Sequence, residues 1–245
     1  MKLSVIIPAY NEEKRLPATL EKVRAYLNQQ KYTSEVVVVD DGSTDNTKEI
    51  ISKLINDWQN FRLISYQPNR GKGYAVKTGM LEGKGDWRLL MDADNSTDIS
   101  EIEKLLQFTS YEIIIGSRYL KADSIKIKQP LSRRMMSRAG NILVRIVLGI
   151  KAVDTQCGFK LFSCEATEKI FPLQTIDRWG FDMEILAIAI RYGYKIKEVA
   201  VDWYDAEGSL VKKGTAVKTL KELWQIKRNM MRGKYNDKVQ ISNVK

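Results

Sequence analysis

The chain contains no histidine. That removes the side chain most used as a general base near neutral pH, rules out a Ser-His-Asp triad, and takes away imidazole as a metal ligand. Cysteine is almost as scarce. Cys157 and Cys164 are the only two in 245 residues, too few for a disulfide framework or a structural zinc site. Any metal must therefore be held by oxygen, which points to magnesium or manganese, and a reducing, cytoplasmic setting is expected. Long apolar runs are missing too. No stretch approaches the ~18 residues of a membrane span, and MKLSVIIPAYNEE at the N-terminus meets Pro8 too early to be a signal peptide. The protein is expected to be soluble or peripheral to a membrane.

Positive charge is abundant and uneven. Residues 118–151 and 212–245 each carry net +8, which leaves −6 for the rest of a chain of net +10. Such segments suit an anionic partner, whether phosphate, acidic lipid or nucleic acid, or form a solvated lysine surface. Nucleic acid favours aromatics interleaved with the cations, and residues 118–151 hold only Tyr119. With 44% hydrophobic residues the chain can fill the core of one large domain.

Short β-branched runs at 3–8, 35–40, 61–66, 86–92 and 111–116 read as strands. Helical patterns lie between them at 17–29, 45–58, 71–82 and 98–108, with Pro17 suited to a first turn and STD at 43–45 and 96–98 offering N-caps. This alternation predicts an α/β fold, a mostly parallel sheet with helices on both faces. Ligands of such sheets bind beyond the carboxyl ends of the strands. Later come helices at 132–150 and 181–192, a strand at 196–203 and a final amphipathic helix at 216–232. In the 132–150 helix Met135, Ala139, Ile142, Ile146 and Ile150, widened by Met136, Leu143 and Val147, face away from a stripe of Arg134, Arg138, Asn141 and Arg145. The pattern fits an interfacial helix or a core helix with surface arginines.

Two strands end in aspartates. In LLMDADNST the pleat sends Asp92 and Asp94 the same way and turns Ala93 aside, so the two carboxylates can share a cation that bridges a diphosphate. A rival reading is an aspartyl-phosphate loop, but that motif would be expected on the first strand. In VVVVDDGSTDNT, Asp40 could accept from a base or ribose, while Asp41, Ser43 and Asp45 could cap the next helix. Gly71 and Gly73 in NRGKGYAVKTG allow a close backbone approach to the cleft, or simply form a turn.

The series VIIPAYNEE, VVVVDDGSTDNT, NRGKGYAVKTGM, LLMDADNST, GSRY, DTQCGFKLF and RWGFDMEIL resembles family 2 glycosyltransferases of the GT-A (Rossmann-like) fold. It is most similar to the polyprenyl-phosphate branch of dolichyl-phosphate mannose synthases and dolichyl-phosphate β-glucosyltransferases. The last two motifs lean to the glucosyl subgroup that uses UDP-glucose. The resemblance implies one GT-A domain over 1–232, ending in C-terminal amphipathic helices, with a basic tail at 233–245. It implies a nucleotide-sugar site of Pro8, Tyr10, Glu12, Val38, Asp40, Asp92, Ala93 and Asp94, with Mg²⁺ or Mn²⁺ on Asp92 and Asp94. Arg118, Arg133 and Ser137 would take the acceptor phosphate.

The implied reaction is inverting transfer of a hexose, glucose from UDP-glucose, to polyprenyl phosphate at the cytosolic face of a membrane. The GDP-mannose-dependent synthase is the alternative donor reading. A hydroxyl acceptor would instead need a carboxylate base, for which Asp182, Glu184 and Asp154 are the candidates, and Asp182 is taken as the catalytic one. A non-enzymatic anion-binding module is the remaining alternative. Two departures from the mannose synthases bear on the donor. Ser96 stands where they carry a glutamine metal ligand, and Leu210 follows Ser209 where they carry a lysine, so that role passes to Lys212 or Lys213 or is lost.

Overall fold

A computed structural model describes residues 2–55, 58–121, 124–125, 131–204 and 215–236, with the side chains of 131–137 and 215–216 outside that set. The five expected early strands form within two residues of their predicted bounds: β1 (Lys2–Ala9), β2 (Thr33–Asp40), β3 (Phe61–Ser65), β4 (Trp87–Met91) and β5 (Ile113–Ser117). Helices α1 (Leu16–Leu27), α2 (Thr47–Ile55) and α3 (Lys72–Glu82) connect the first four. The helix expected at 98–108 is a 3₁₀ turn, Ile99–Glu101, running into α4 (Ile102–Leu106). Pro17 sits in the first turn of α1. In both STD triplets the aspartate closes the turn: Asp45 accepts from the Thr47 amide and Asp98 from that of Ser100.

Beyond β5 the chain forms α5 (Leu131–Leu148), β6 (Phe159–Ser163), α6 (Cys164–Ile170), α7 (Phe181–Arg191), β7 (Ile196–Ala200) and α8 (Thr215–Met231). The seven strands lie in the order β3-β2-β1-β4-β6-β5-β7. All neighbours are parallel except β6, which runs antiparallel to both β4 and β5. The order reverses at β1, flanked by β2 and β4, which opens a crevice beyond the carboxyl ends of β1 and β4. Because β6 runs the other way, the residues that lead into it, 154–158, arrive at that same edge.

β6 is absent from the strand pattern of the sequence, and so is α6. FKLFS has a lysine in its middle, which interrupts the apolar run that marks a buried strand. Yet Lys160 is fully buried, and only a partner far away in the chain makes that tolerable.

Each face of the sheet carries its own core. α1, α2 and α4 cover Leu3, Val5, Ile7, Val36 and Val38. α3, α5, α6, α7 and α8 cover Ile6, Val37, Val39, Ile113 and Ile115. Each such aliphatic side chain contributes roughly 1.5–3 kcal/mol on burial. α7 is buried at every position from Phe181 to Ala189, including Asp182 and Glu184.

α5 departs from the expected pattern. Its buried stripe is Asn141, Val144 and Leu148, while Ile142 and Ile146 are 53% and 76% exposed. Asn141, expected beside the arginines on the polar edge, accepts from the Thr155 amide and hydroxyl and pins α5 to the loop before β6.

Candidate active site

Asp92 and Asp94 leave β4 as the pleat requires. Ala93 turns into the core under α1, where its carbonyl accepts from Thr19 Oγ1 at 2.8 Å. Both carboxylates act on Glu12, Arg15 and Lys72, so they face one cleft. Asp94 Oδ1 accepts from the Ser96 amide at 3.0 Å and Asp92 Oδ1 from Lys72 Nζ at 2.6 Å. Burial opposes the charge on Lys72, but Asp92 and Asp182 outweigh it and raise its pKa. Across the cleft, Glu12 is ion-paired with Arg15 at 2.5 Å, and burial pushes its carboxyl up. Asn11 and Asn95, at the ends of β1 and β4, both have left-handed backbone with φ near 55° and 53°, a conformation asparagine tolerates better than most residues.

The other aspartate pair is built differently. Asp40 is buried, with one oxygen accepting from the Ser43 amide and the other from Ser65 Oγ. Asp41 is buried as well and accepts from four donors: Tyr66 Oη, Asn69 Nδ2 and the amides of Arg70 and Gly71. It ties the 69–71 loop to β2 and does not cap α2 as expected. Ser43 is no cap either, since its hydroxyl accepts from the Asn11 amide. Val38, expected beside the nucleoside, is a fully buried core residue paired to β1 and β3. Pro8 lies in β1 opposite Val39, and half-buried Tyr10 follows the strand end. Gly71 and Gly73 do allow a close approach, but to protein: a Cβ on either would strike the backbone of Ile176–Asp177.

The stretch DTQCGFK forms the floor. The Asp92 amide donates to the Gly158 carbonyl, and a Cβ on Gly158 would collide with the Asp92 carboxylate. Lys160 donates to the Cys157 carbonyl and to Asp182. Burial raises the Asp182 pKa, against the pull of Lys160 and Lys72. Burial also pushes the Cys157 thiol up to about 12, so it is no nucleophile.

Asp154 is fully buried and grips Arg118 through three hydrogen bonds, from the amide, Nε and Nη2, at 2.7–3.0 Å. Burial opposes ionisation of Asp154, but Arg118 prevails and holds its pKa below the ordinary value. Arg118, expected to reach phosphate, is thus committed to a carboxylate, with its guanidinium 5.2 Å from the Tyr119 ring. Glu184 accepts from the Thr175 amide and hydroxyl, the Ile176 amide and Tyr235 Oη. Arg133 and Ser137 lie in the first two turns of α5, and their side chains fall outside the described residues, as do residues 205–214 with Ser209, Leu210, Lys212 and Lys213.

Sequence reasoning passed over Lys72, Gly158 and Lys160. The signal for the last two was in DTQCGFKLF, but their purpose depends on β6 lying beside β4. Among the described residues no group of three or more acidic or thiol side chains is gathered around a point. Asp92 and Asp94 still fit a hard divalent cation that completes its shell with phosphate oxygens, and Lys72 shows that this spot draws a cation.

A β1/β4 crevice with paired aspartates at the strand end fits a glycosyltransferase of GT-A fold. The chain belongs to glycosyl transferase family 2, whose family model matches residues 4–171. A dolichyl-phosphate beta-glucosyltransferase of Trichomonas vaginalis is 40% identical over 238 residues, covering 91% of this chain and 72% of that protein. The enzyme of that name from Saccharomyces cerevisiae is 37% identical, covering 96% and 77%, and the human one 38% identical, covering 85% and 69%. Among solved structures, glucosyl-3-phosphoglycerate synthase from Mycobacterium tuberculosis, in complex with Mn²⁺, UDP-glucose and phosphoglyceric acid, superimposes with a TM-score of 0.67 at 17% identity, covering 93% of this chain and 80% of its own. Mannosyl-3-phosphoglycerate synthase from Rubrobacter xylanophilus gives 0.69 at 14% identity, covering 95% and 75%. These structures share the fold.

Proposed function

We propose that the protein transfers glucose from UDP-glucose to dolichyl phosphate or a related polyprenyl phosphate, with inversion at the anomeric carbon. One observation carries the choice of acceptor. Among the described residues, the three carboxylates considered as a base for a hydroxyl are already committed: Asp154 to Arg118, Asp182 to Lys160, and Glu184 to Thr175, Ile176 and Tyr235. With no histidine in the chain either, this favours an acceptor that brings its own negative charge, as a phosphate monoester does near neutral pH. The names of the relatives at 37–40% identity support the same reading.

An acceptor phosphate oxygen attacks C1 of glucose from the face opposite the diphosphate. The new C1–O bond forms as the bond to UDP breaks, and the electron pair leaves with the diphosphate. No proton moves, so α-linked UDP-glucose gives a β-linked lipid phosphate. The chain's work is to hold two anions together and to stabilise the charge that grows on the leaving group. A divalent cation on Asp92 and Asp94 would supply charge neutralisation at that diphosphate. Arg133 and Ser137, one turn apart on α5, remain the proposed grip on the acceptor phosphate.

A membrane-dissolved acceptor calls for a membrane-facing surface, at the cytosolic face in this reading. Among the described residues no helix is long and apolar enough to cross a membrane. α5 and α8 pack on each other, and both leave apolar residues exposed: Ile142, Leu143 and Ile146 on one, Val217, Leu220, Trp224 and Met231 on the other. Both lie in segments of net charge +8. Basic residues near anionic lipid contribute about 1 kcal/mol each and are screened by salt, whereas apolar insertion is not.

The test is a panel of UDP-glucose, GDP-mannose and UDP-N-acetylglucosamine with dolichyl and undecaprenyl phosphate in anionic liposomes, with Mn²⁺ or with chelator. β-linked glucosyl lipid from UDP-glucose is the expected product. Transfer to a sugar hydroxyl, or from GDP-mannose alone, would overturn the reading. Flotation with the same liposomes should weaken with salt without vanishing. Failure to float at low salt would remove the membrane role of α5 and α8.

A further inference from the structure

We propose that Lys72 is an exchangeable counter-cation of the donor site: it holds Asp92 while the cleft is empty, yields it to the donor's divalent cation, and turns its ammonium to the diphosphate. The inference deepens the reading of Asp92 and Asp94 as the cation-binding pair and rests on it.

The backbone under Lys72 is clamped. Gly71 and Gly73, on either side, press against the Ile176–Asp177 backbone so closely that neither tolerates a Cβ. The Asp177 carbonyl accepts from the Tyr74 amide, and Asp41 holds the amides of Arg70 and Gly71. Gln174 Nε2 adds a bond to the Gly73 carbonyl. What remains free to move is the four-carbon side chain, which is 24% exposed and ends at Asp92 Oδ1, with the Trp179 ring 5.6 Å from the ammonium. A fixed base with a mobile, charged tip is what delivering one cation between two nearby anions requires.

The surrounding charges show why this lysine is the one that exchanges. Lys160 is fully buried and locked between Asp182 and the Cys157 carbonyl. Arg15 is bound in fork fashion by Glu12. Lys72 alone among these three cations sits on an aspartate of the Asp-Ala-Asp motif, and that pair is partly open to solvent. A divalent cation that binds Asp92 competes with the ammonium for the charge of the same carboxylate. Displacement does not waste the lysine's charge. UDP gains one negative charge when the sugar leaves, and a cation released a few ångströms away is placed to meet it.

The test uses the full chain and its Lys72→Met and Lys72→Arg variants, with thermal melts to verify folding. Mn²⁺ binding without nucleotide is read from the free-ion EPR signal, and UDP binding at saturating Mn²⁺ by calorimetry. Lys72→Met should bind Mn²⁺ alone about tenfold more tightly, since Asp92 has lost its competitor, and UDP about tenfold more weakly. Lys72→Arg should recover most of the UDP affinity. Unchanged or weaker Mn²⁺ binding by Lys72→Met, or unchanged UDP binding, overturns the exchange. Asp92→Asn separates the two ideas: Mn²⁺ affinity unaffected by that change defeats the metal reading itself. A wild type that binds no Mn²⁺ even with UDP overturns the exchange, which needs that cation as the lysine's competitor.

Discussion

Asp40-Asp41 and Asp92-Asp94 look alike in sequence, each closing a buried parallel strand at the same edge of the sheet. Their surroundings are opposite. Asp40 and Asp41 are 1% and 2% exposed and together accept from six protein donors. Asp92 is 30% exposed at its side chain and holds one lysine, and Asp94 holds one amide. A saturated carboxylate is a structural fastening, while an under-saturated one at a cleft can bind. The difference lies in what reaches each strand end. The 65–71 segment folds over Asp40 and Asp41, whereas the residues leading into β6 stop at Gly158 and leave the outer side of Asp92 open.

The sharpest break of this comparison is Asp94→Asn. Losing several kcal/mol of charge stabilisation in the transition state should cut transfer by about a thousandfold or more, with circular dichroism and melting temperature nearly unchanged. Wild-type turnover at saturating Mn²⁺ would return the pair to the structural class. Asp154 extends the contrast to an aspartate saturated by charge. Asp154→Asn strands the Arg118 guanidinium and should cost about 3–5 kcal/mol of stability, measured by urea unfolding. Its titration has a definite sign. The folded pKa lies below the unfolded value near 4, so the stability from this group is fully present above about pH 4 and is lost as pH falls through the folded value. The difference in urea midpoint between wild type and Asp154→Asn should therefore shrink as pH falls below about 4.

Asp41→Ala should show the reverse of Asp94→Asn. Four donors lose their acceptor, a cost of about 3 kcal/mol that lowers the melting temperature of a chain this size by roughly 6–12 °C. An unchanged melt would mean that water replaces the carboxylate freely. The smallest effect is expected of Gly158→Ala, which pushes Asp92 aside while removing no functional group. A displacement near 1 Å costs about a hundredfold in turnover, and Mn²⁺ binding should weaken with it. Full activity would show that the floor yields.

Sequence alone was enough for most of the elements with a short period. The 3.6-residue and 2-residue patterns placed the first five strands and most helices, because side-chain alternation is a property of the local backbone. The same pleat rule correctly turned Ala93 inward. Motif order led to the family, since it keeps together residues that meet only in the fold. What needed the tertiary structure was every choice between two legitimate local readings. β6 was hidden by Lys160, whose burial is paid for by Asp182, twenty-two positions away on α7. Asn141 read as polar edge until the loop before β6 supplied Thr155 to bind it. Asp41 read as a helix cap until the 69–71 loop arrived. Lys72 read as part of a turn until β4 brought Asp92 within 2.6 Å. In each case local sequence states what a side chain can do, and the desolvation cost and its non-local partner decide what it does.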